Sequence, residues 1–157
     1  IKDLQVEGKQ LPAHPAYAVI DLMLNEYKRL GKAANAGFYD YPVGGKKHLW
    51  PELKARFEKA EAQIPQIDVR DRILFIQAIE TVRCVEEGVL LSTADANIGS
   101  ILGIGFPRWT GGALQFVNSV GLKAFADRAG ELARRYAERF APPQRLLAMA
   151  ERGETFQ

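Results

Sequence analysis

The feature that most constrains the fold is one long apolar segment near the middle of the chain. It is predicted to begin near Asp68, a residue type that favours the N-cap of a helix, and to run to about Leu91. Its apolar side chains fall on nearly every side of a helix; they are Ile73, Leu74, Phe75, Ile76, Ala78, Ile79, Val82, Cys84 and Val85. A helix of this kind needs neighbours on several faces, so we expect it to be the central helix of a domain.

A second long segment, residues 122–140, carries its apolar residues on one side only. Spacings of three and four residues align Leu122, Phe125, Ala126, Ala129, Leu132, Ala133, Tyr136, Ala137 and Phe140. The charged residues Arg128, Glu131, Arg135 and Glu138 fall elsewhere on the helix. This pattern predicts an amphipathic helix that buries one face.

Helix signals dominate the rest of the chain, and strand-like alternation is scarce. A first helix is predicted to start at Pro15 and to stop near Gly31, and residues 33–47 are a loop by their content of Gly, Pro, Asn and Asp. Further helices are predicted over residues 51–62, over 94–102 with a cap at Ser92 or Thr93, over 113–118, and after Pro143 up to Gly153. The sequence therefore predicts an all-α fold.

Composition excludes several classes of protein. Among 157 residues, 21 are basic and 19 acidic, a balance unlike that of a dedicated nucleic-acid binder. The single cysteine, Cys84, cannot form an internal disulfide, and no uncharged apolar run is long enough to predict a membrane span. The chain starts with Ile1 in a polar stretch without a signal pattern, which is typical of a fragment.

The residues that most often carry catalysis have structural interpretations here. His14 is expected at the start of a helix and His48 in a loop, and Cys84 is expected to act as a small apolar residue. Neither a cysteine pair nor a histidine pair at helical spacing is present, so we predict no catalytic, cofactor-binding or metal-binding residue.

The carboxylates of the central helix are also interpreted as structural. Glu80 lies in an apolar context, and Arg83 three residues later is its expected ion-pair partner. Glu86 and Glu87 are near the predicted end of the helix and are expected to be solvated.

A glycine-rich bend, GIGFPRWTGG at residues 103–112, is the most specific local feature. Its first glycines resemble a dinucleotide-binding loop, but position 108 is arginine and the preceding segment is helical, so a nucleotide site is rejected. We expect the glycines to permit positive φ and close helix approach, with Phe106 and Trp109 filling the core.

Residues 71–122 resemble the C-terminal domain of 3-hydroxyacyl-CoA dehydrogenases. The resemblance rests on Glu87-Gly88 after a long helix, an Asp95-led helix, the pattern G-x-GFP-x-x-x-GG (Gly103, Gly105, Phe106, Pro107, Gly111, Gly112), and Val120-Gly121. Upstream, GKAANAGFYDYP at residues 31–42 resembles the end of a preceding domain copy, with Ala33 and Asn35 in place of the family's Lys and Gly. The tail PPQRLLAMAERGETFQ resembles the C-terminus of the multifunctional β-oxidation α-subunit.

The order of these matches implies that residues 1–48 are the tail of a first C-terminal copy with a linker, and that 49–157 are a second copy. From composition, a boundary is expected within 42–48 or 62–67. The implied fold is that of the 6-phosphogluconate dehydrogenase C-terminal-like helical domains. The family's first copy carries an asparagine before an arginine near the substrate; Asp71 precedes Arg72 here, which predicts that this copy serves packing.

The resemblance also implies the chemistry of a longer parent protein. That parent would use NAD to oxidise the 3-hydroxyl of an acyl-CoA, with an enoyl-CoA hydratase domain upstream, and its catalytic His–Glu pair and NAD loop would lie in a Rossmann domain outside this sequence. The implied partners are the acyl-CoA substrate, the remainder of the α-subunit and a thiolase β-subunit, with no nucleic acid and no membrane span. We expect no NAD on this segment, and we expect a cytoplasmic location.

The sequence leaves two functions open. In one, the chain is a component of this enzyme, and Phe106, Arg108 and Trp109 contact a ligand or a neighbouring surface, with Arg108 meeting a CoA phosphate. In the other, it is an independent interaction module that docks through the apolar stripe of residues 122–140. The reading frame upstream of Ile1 discriminates between them.

Overall fold

A computed structural model describes residues 14–157 of the chain. The contacts between residues divide the chain into two compact units, one extending to Gln63 and the other spanning Ile64–Gln157. The assignment of residues 1–48 and 49–157 to two domain copies stays a prediction, because contacts within one chain do not identify copies.

The first unit contains short elements. They are α1 (Ala16–Asp21), which continues as a π-helical turn (Leu22–Glu26), a 3-10 turn (Lys32–Ala34), β1 (Tyr39–Asp40), β2 (His48–Leu49), α2 (Glu52–Phe57) and a 3-10 turn (Ala60–Ala62). The first helix ends earlier than the predicted stop near Gly31, because Lys28 takes the left-handed conformation at φ 54°.

The predicted loop over residues 33–47 contains a small two-stranded sheet at its edge. Strands β1 and β2 are antiparallel, with Tyr39 opposite Leu49. Arg29 fixes this region, since its Nε donates to the carbonyl oxygen of Gly37 at 2.6 Å and its guanidinium pairs with Asp40. The same guanidinium lies 4.5 Å from the ring centre of Trp50, a cation–π distance.

The second unit is built from helices joined by 3-10 turns, and the all-α prediction is confirmed. Its elements are α3 (Gln66–Glu86), α4 (Thr93–Gly103), a 3-10 turn (Arg108–Thr110), α5 (Ala113–Val120), α6 (Leu122–Arg135), a 3-10 turn (Glu138–Phe140) and α7 (Gln144–Glu151). Ser92 caps α4 as predicted, because its Oγ accepts the N–H of Asp95 at 3.0 Å. Within residues 14–157, no helix is long and apolar enough to cross a membrane.

The core of the second unit forms where α3, α5 and α6 meet. The rings of Phe75 and Phe125 are stacked, with centroids 4.1 Å apart and planes 2° apart. The ring of Phe116 packs edge-on against both. Around these rings, α3 buries Ala78, Ile79 and Val82 completely. The predicted central helix is therefore central to this unit, although Val69 and Ile73 on its outer side are 41% and 57% exposed.

The ends of the long helices differ from the predictions. Helix α3 stops at Glu86 instead of near Leu91, because Gly88 takes a positive φ of 73° and the N–H of Val89 returns to the carbonyl of Cys84. Asp68 is not the N-cap, since Pro65 holds that position and Asp68 lies buried in the first turn.

The apolar stripe of α6 is buried within the second unit itself. Leu122, Phe125, Ala126, Ala129 and Leu132 are at most 6% exposed. The hypothesis that this stripe is a docking face is therefore wrong, because the face that would dock is already used to close the core. The regular helix ends at Arg135, and a 3-10 turn carries the chain on to the buried Phe140.

Candidate functional site

A cluster of charged side chains links the start of α3 to α6. Arg128 stands at its centre: Nη2 lies 2.5 Å from Oδ1 of Asp68, and Nε lies 2.9 Å from Oδ2 of Asp71. Its third nitrogen, Nη1, lies 2.8 Å from Oε2 of Glu131. The side chains of Asp68 and Asp71 are only 2% and 10% exposed. Because a buried carboxylate without a partner is costly, this pairing holds the two helices together.

Tyr136 and Arg135 complete the surroundings of Asp68. The hydroxyl of Tyr136 donates to Oδ2 of Asp68, and Nη1 of Arg135 lies 2.9 Å from the same oxygen. The hydrogen bond from Tyr136, followed by that from Arg128, lowers the pKa of Asp68 below its ordinary value. Donation to Asp68, together with burial, raises the pKa of Tyr136.

The cluster has the properties of a structural ion-pair network. Hydrogen bonds from Arg128 and Arg135 lower the pKa of Glu131, and the hydrogen bond to Asp68 raises the pKa of Arg128. The carboxylates of Asp68 and Glu131 are thus held ionised, and a general base whose charge is so strongly neutralised is a poor proton acceptor near neutral pH. Asp71 stands where the resemblance implies the asparagine of the dehydrogenase family. Its Oδ1 also accepts a hydrogen bond from Nη2 of Arg70 at 3.0 Å. Its carboxylate serves a contact between helices.

A groove of about 670 Å³ lies beside this cluster. Its volume falls within the usual range for sites that bind small molecules. Ile73 and Trp109, on its lining, are 57% and 81% exposed. The lining residues are Arg70, Asp71, Ile73, Leu74, Phe75, Trp109, Phe116, Val120 and Arg128. The groove is therefore apolar along most of its length, with the charged cluster at one part of its wall.

The glycine-rich bend places its aromatic residues differently from the prediction. Phe106 fills the core as expected, at 1% exposure and with its ring 5.7 Å from that of Phe116. The prediction that Trp109 fills the core is wrong, because the 3-10 turn after Pro107 carries its side chain to the surface. Among the three candidate contact residues, burial excludes Phe106, while Arg108 and Trp109 are exposed.

Close helix approach fixes the position of this bend. Gly112 has a φ of 115°, and a Cβ at this residue would lie 2.5 Å from the Cα of Asn97. The approach lets Oδ1 of Asn97 accept the N–H groups of Leu114 and Gln115 at 3.0 and 3.1 Å. In the same way Oγ of Ser100 accepts the N–H of Ala113. Two side chains of α4 thus satisfy the first N–H groups of α5, which sets the direction of the bend.

The other carboxylates of α3 also have structural partners. Glu80 pairs with Arg83, as predicted, and Nη2 of Arg83 lies 3.3 Å from the carbonyl oxygens of Arg139 and Ala141. Glu86 is exposed but is not merely solvated, because its Oε1 accepts the N–H of Arg145 at 2.8 Å. That bond satisfies an N–H group at the start of α7.

The histidines and the cysteine are not among the residues of the charged cluster around Arg128. His14 is exposed, and its Nδ1 accepts the N–H of Ala16 at 3.1 Å, which agrees with its predicted place at the start of a helix. His48 is exposed but lies in β2 instead of a loop. Cys84 is partly exposed and lines a second groove of about 680 Å³ between α3 and α4. Within residues 14–157, no group of three or more His, Cys, Asp or Glu side chains is arranged to hold a metal ion.

Arg128 is the key residue that the sequence interpretation missed. Helical periodicity assigned it to the charged side of α6, whereas its guanidinium contacts carboxylates 57 and 60 residues earlier. A signal did exist: Asp68 and Asp71 are spaced by three residues on one helix, and Arg128, Glu131 and Arg135 form a complementary set on the other. That signal does not say which helices pair.

Two curated proteins are similar to most of this chain. Over 139 residues, 88% of the chain, it is 34% identical to the fatty acid oxidation complex subunit alpha of Vibrio parahaemolyticus. It is 33% identical over the same number of residues to the protein of that name from Vibrio vulnificus. The chain spans about a fifth of the length of these relatives, 20% and 19%. No protein-family model matches the sequence. The resemblance to the α-subunit of fatty-acid β-oxidation, predicted from the motifs, is confirmed.

Proposed function

We propose that this chain is the C-terminal helical part of an NAD-dependent 3-hydroxyacyl-CoA dehydrogenase of fatty-acid β-oxidation. The observation that carries the proposal is the similarity over 88% of the chain to fatty acid oxidation complex alpha subunits, of which it spans about a fifth. The three sequence matches in their expected order support the same assignment. In this proposal, hydride transfer belongs to other parts of the parent polypeptide.

The role proposed for these helices is to support domain packing and to bound the acyl-CoA cleft. The carboxylates of Asp68 and Asp71 are neutralised by Arg128, so the most buried charges of the described residues hold helices together. Exposed apolar side chains on and after α4, namely Ile98, Leu102 and Ile104, are 58%, 71% and 59% exposed. Such surfaces favour contact with another protein surface, and here we assign that surface to the rest of the parent.

The glycine-rich bend at residues 103–112 does not have the geometry of a dinucleotide-binding loop. A dinucleotide loop connects a strand to the N-terminus of a helix, so that the pyrophosphate meets free N–H groups. Here Gly103 is the last residue of helix α4, Gly105 comes two residues later, and a 3-10 turn follows. We therefore propose that the NAD of the parent enzyme binds outside this chain.

The proposal extends to partners of the parent. An acyl-CoA substrate, an upstream enoyl-CoA hydratase domain and a thiolase β-subunit are what the resemblance implies. The relatives are named as subunits of a complex, which supports the expectation of further subunits. The helical segment would then contribute surface to the assembly instead of reacting groups.

The test compares the complete parent polypeptide with this chain alone. NADH formation from a 3-hydroxyacyl-CoA is followed by absorbance at equal molar concentrations of the two proteins. We expect turnover by the parent and none by the chain of 157 residues. Turnover by the chain alone would overturn the proposal. A reading frame that begins near Ile1, with no glycine-rich NAD loop or His–Glu pair upstream, would favour the independent module instead.

A further inference from the structure

We propose that residues 154–157 form a releasable strap that occupies a peptide-binding groove of the second unit. The groove recognises an extended segment through the ring of one phenylalanine, Phe156, and through the backbone of that same residue. In the structure the chain's own residues occupy it, and a free peptide of the same sequence can take their place. The proposal concerns this unit alone and does not depend on the activity proposed for the parent.

The strap begins where helix α7 has ended. Gly153 takes a positive φ of 67°, and the N–H of Glu154 returns to the carbonyl oxygen of Met149 at 3.0 Å, so the helix is closed at this point. Residues 154–157 have no regular secondary structure. Beyond the N–H of Glu154, the strap is therefore not part of the hydrogen bonding of α7.

One side chain holds the backbone of the strap. Oδ1 of Asn118, on α5, accepts the N–H of Phe156 at 3.0 Å, and Nδ2 of Asn118 donates to the carbonyl oxygen of Phe156 at 2.8 Å. A primary amide that meets both backbone groups of one residue acts like the edge of a neighbouring strand, and such contacts do not depend on the side chain of the bound residue. Within residues 14–157, these two are the only hydrogen bonds of residues 155–157.

The phenylalanine ring supplies the specificity of the groove. Phe156 is 7% exposed and belongs to the same apolar core as Leu122 and Met149, whereas the other three residues of the strap are exposed. An aromatic ring provides most of the apolar area that so short a segment can bury. A segment without such a ring would therefore bind this groove much more weakly.

The strap borders two cavities of the second unit. One, of about 860 Å³, has Leu91 and Met149 on its lining, and the other, of about 510 Å³, has Leu122 on its lining. Glu154 and Thr155 line both cavities. Release of the strap would join these spaces into one groove, which has room for a segment longer than the strap itself.

The balance of interactions makes the strap releasable. Ordering each residue of an extended segment costs conformational entropy, and of the four residues only Phe156 is buried to offset that cost. Segments with few buried contacts open locally while the rest of the structure stays folded. We therefore expect the strap to open without unfolding of α3, α5 and α6.

Hydrogen exchange in the complete chain tests the release. The protection factor of the Phe156 amide is compared by NMR with that of Ile79, a fully buried residue in the middle of α3. We expect the Phe156 amide to be at least about a hundredfold less protected, because it exchanges through local opening. Equal protection would mean that the strap opens only when the whole unit unfolds, and would overturn the proposal.

A pair of amide variants tests the contact that holds the strap. Asn118→Ala in the complete chain is expected to lower the protection of the Phe156 amide by about tenfold or more, the scale of two lost hydrogen bonds. Gln115→Ala is the matched control, since Gln115 is an exposed amide on the same helix and its side chain makes no hydrogen bond within residues 14–157. The same protection in both variants would show that Asn118 does not hold the strap.

A shortened chain and a free peptide test the groove itself. The chain is stopped after Gly153, which keeps the turn at the end of α7, and a peptide with the sequence of residues 154–157 and blocked ends is titrated into it. The reporter is the side-chain amide resonance of Asn118. We expect a saturable shift of this resonance, and at least about tenfold weaker binding when alanine replaces the phenylalanine of the peptide.

The complete chain provides the control for location. It should bind the free peptide at least about tenfold more weakly than the shortened chain, because its own strap occupies the groove for most of the time. Equal affinities would place the peptide elsewhere, and a folded shortened chain that shows no saturable shift would exclude a peptide site. A shortened chain that loses its helical circular dichroism would show that the strap is an obligatory part of the core, and would equally overturn the proposal.

Discussion

The Nε atom of Arg128 lies 2.9 Å from Oδ2 of Asp71, 57 residues earlier in the chain. The same guanidinium contacts Asp68 at 2.5 Å and Glu131 at 2.8 Å, so one side chain neutralises carboxylates on both helices that it joins. This contact fixes α6 against the start of α3 and stands beside the groove that carries Trp109.

Removing Arg128 should destabilise the second unit. Arg128→Leu leaves the buried Asp68 with fewer partners, and we expect its Tm to fall by roughly 5–10 °C, as the loss of one buried network would do in a domain of this size. Arg134→Leu is the matched control, because Arg134 is exposed on the same helix and makes no ion pair within residues 14–157. Thermal melts followed by circular dichroism measure both. An equal Tm for the two variants would contradict the structural role.

The second unit should lose stability in acid through the same cluster. The folded-state pKa of Asp68 is lowered from 3.8 and that of Glu131 from 4.5, so their contribution is complete above these values and is lost as pH falls through the lower folded values. We therefore expect the denaturation midpoint to fall as pH drops below about 4. Tyr136→Phe removes the largest cause of the Asp68 shift and should make the acid dependence shallower. Urea titrations between pH 2 and 7 provide the measurement.

The second unit should also lose stability in alkaline solution, in this case as pH rises. The pKa of Tyr136 is raised from 10.0, so the hydroxyl stabilises the fold while it is protonated, and that contribution is lost as pH rises above 10. Tyr136→Phe should abolish this part of the alkaline loss. Ultraviolet titration of tyrosinate checks the assignment: a Tyr136 that ionises at the ordinary tyrosine pKa of 10.0 would refute it.

Gly112 should not tolerate a side chain. In Gly112→Ala the new Cβ would lie 2.5 Å from the Cα of Asn97, and the residue would be held at φ 115°. We expect a loss of about 2 kcal/mol or more, from strain and overpacking together. Gly99→Ala is the control within α4, where a Cβ meets no atom within 4 Å; it should stabilise by about 0.5–1 kcal/mol. Chemical denaturation distinguishes the two, and equal values would show that the approach of α4 to α5 is looser than described.

The stacked pair in the core should dominate the stability of the second unit. Phe125 is fully buried against Phe75, and Phe125→Ala is expected to cost about 3–5 kcal/mol. The exposed Ile98 offers a comparison, since Ile98→Ala should change stability by less than about 0.5 kcal/mol. A cost below about 1 kcal/mol for Phe125→Ala would mean that the core is packed differently.

Much of the fold was predictable from local signals. The helical pattern over residues 113–118, the short helix before Gly153 and the cap at Ser92 all correspond to observed elements. These features depend on residues a few positions apart, and periodicity reports such relationships directly. The pairing of Glu80 with Arg83 was predictable for the same reason.

The errors arose where packing between distant segments decides the outcome. Asp68 reads as an N-cap in sequence, but Arg128 and Tyr136 bring it into a buried cluster. The sequence predicts Trp109 to be a core residue beside Phe106, but the 3-10 turn after Pro107 places Trp109 at the surface and leaves only Phe106 buried. The spacing of residues along the chain does not predict either result, since each depends on which other segment packs against the residue in the folded protein.

By itself, the sequence determined that this chain is helical, where most of its helices lie, and which dehydrogenase domain it resembles. Only the tertiary structure decided that the apolar face of α6 closes the core, that Arg128 turns inward, and that Trp109 is left at the edge of a groove. The physical reason is that periodicity defines a face of a helix, whereas the partner of that face is chosen by shape and charge brought together across 57 or more residues.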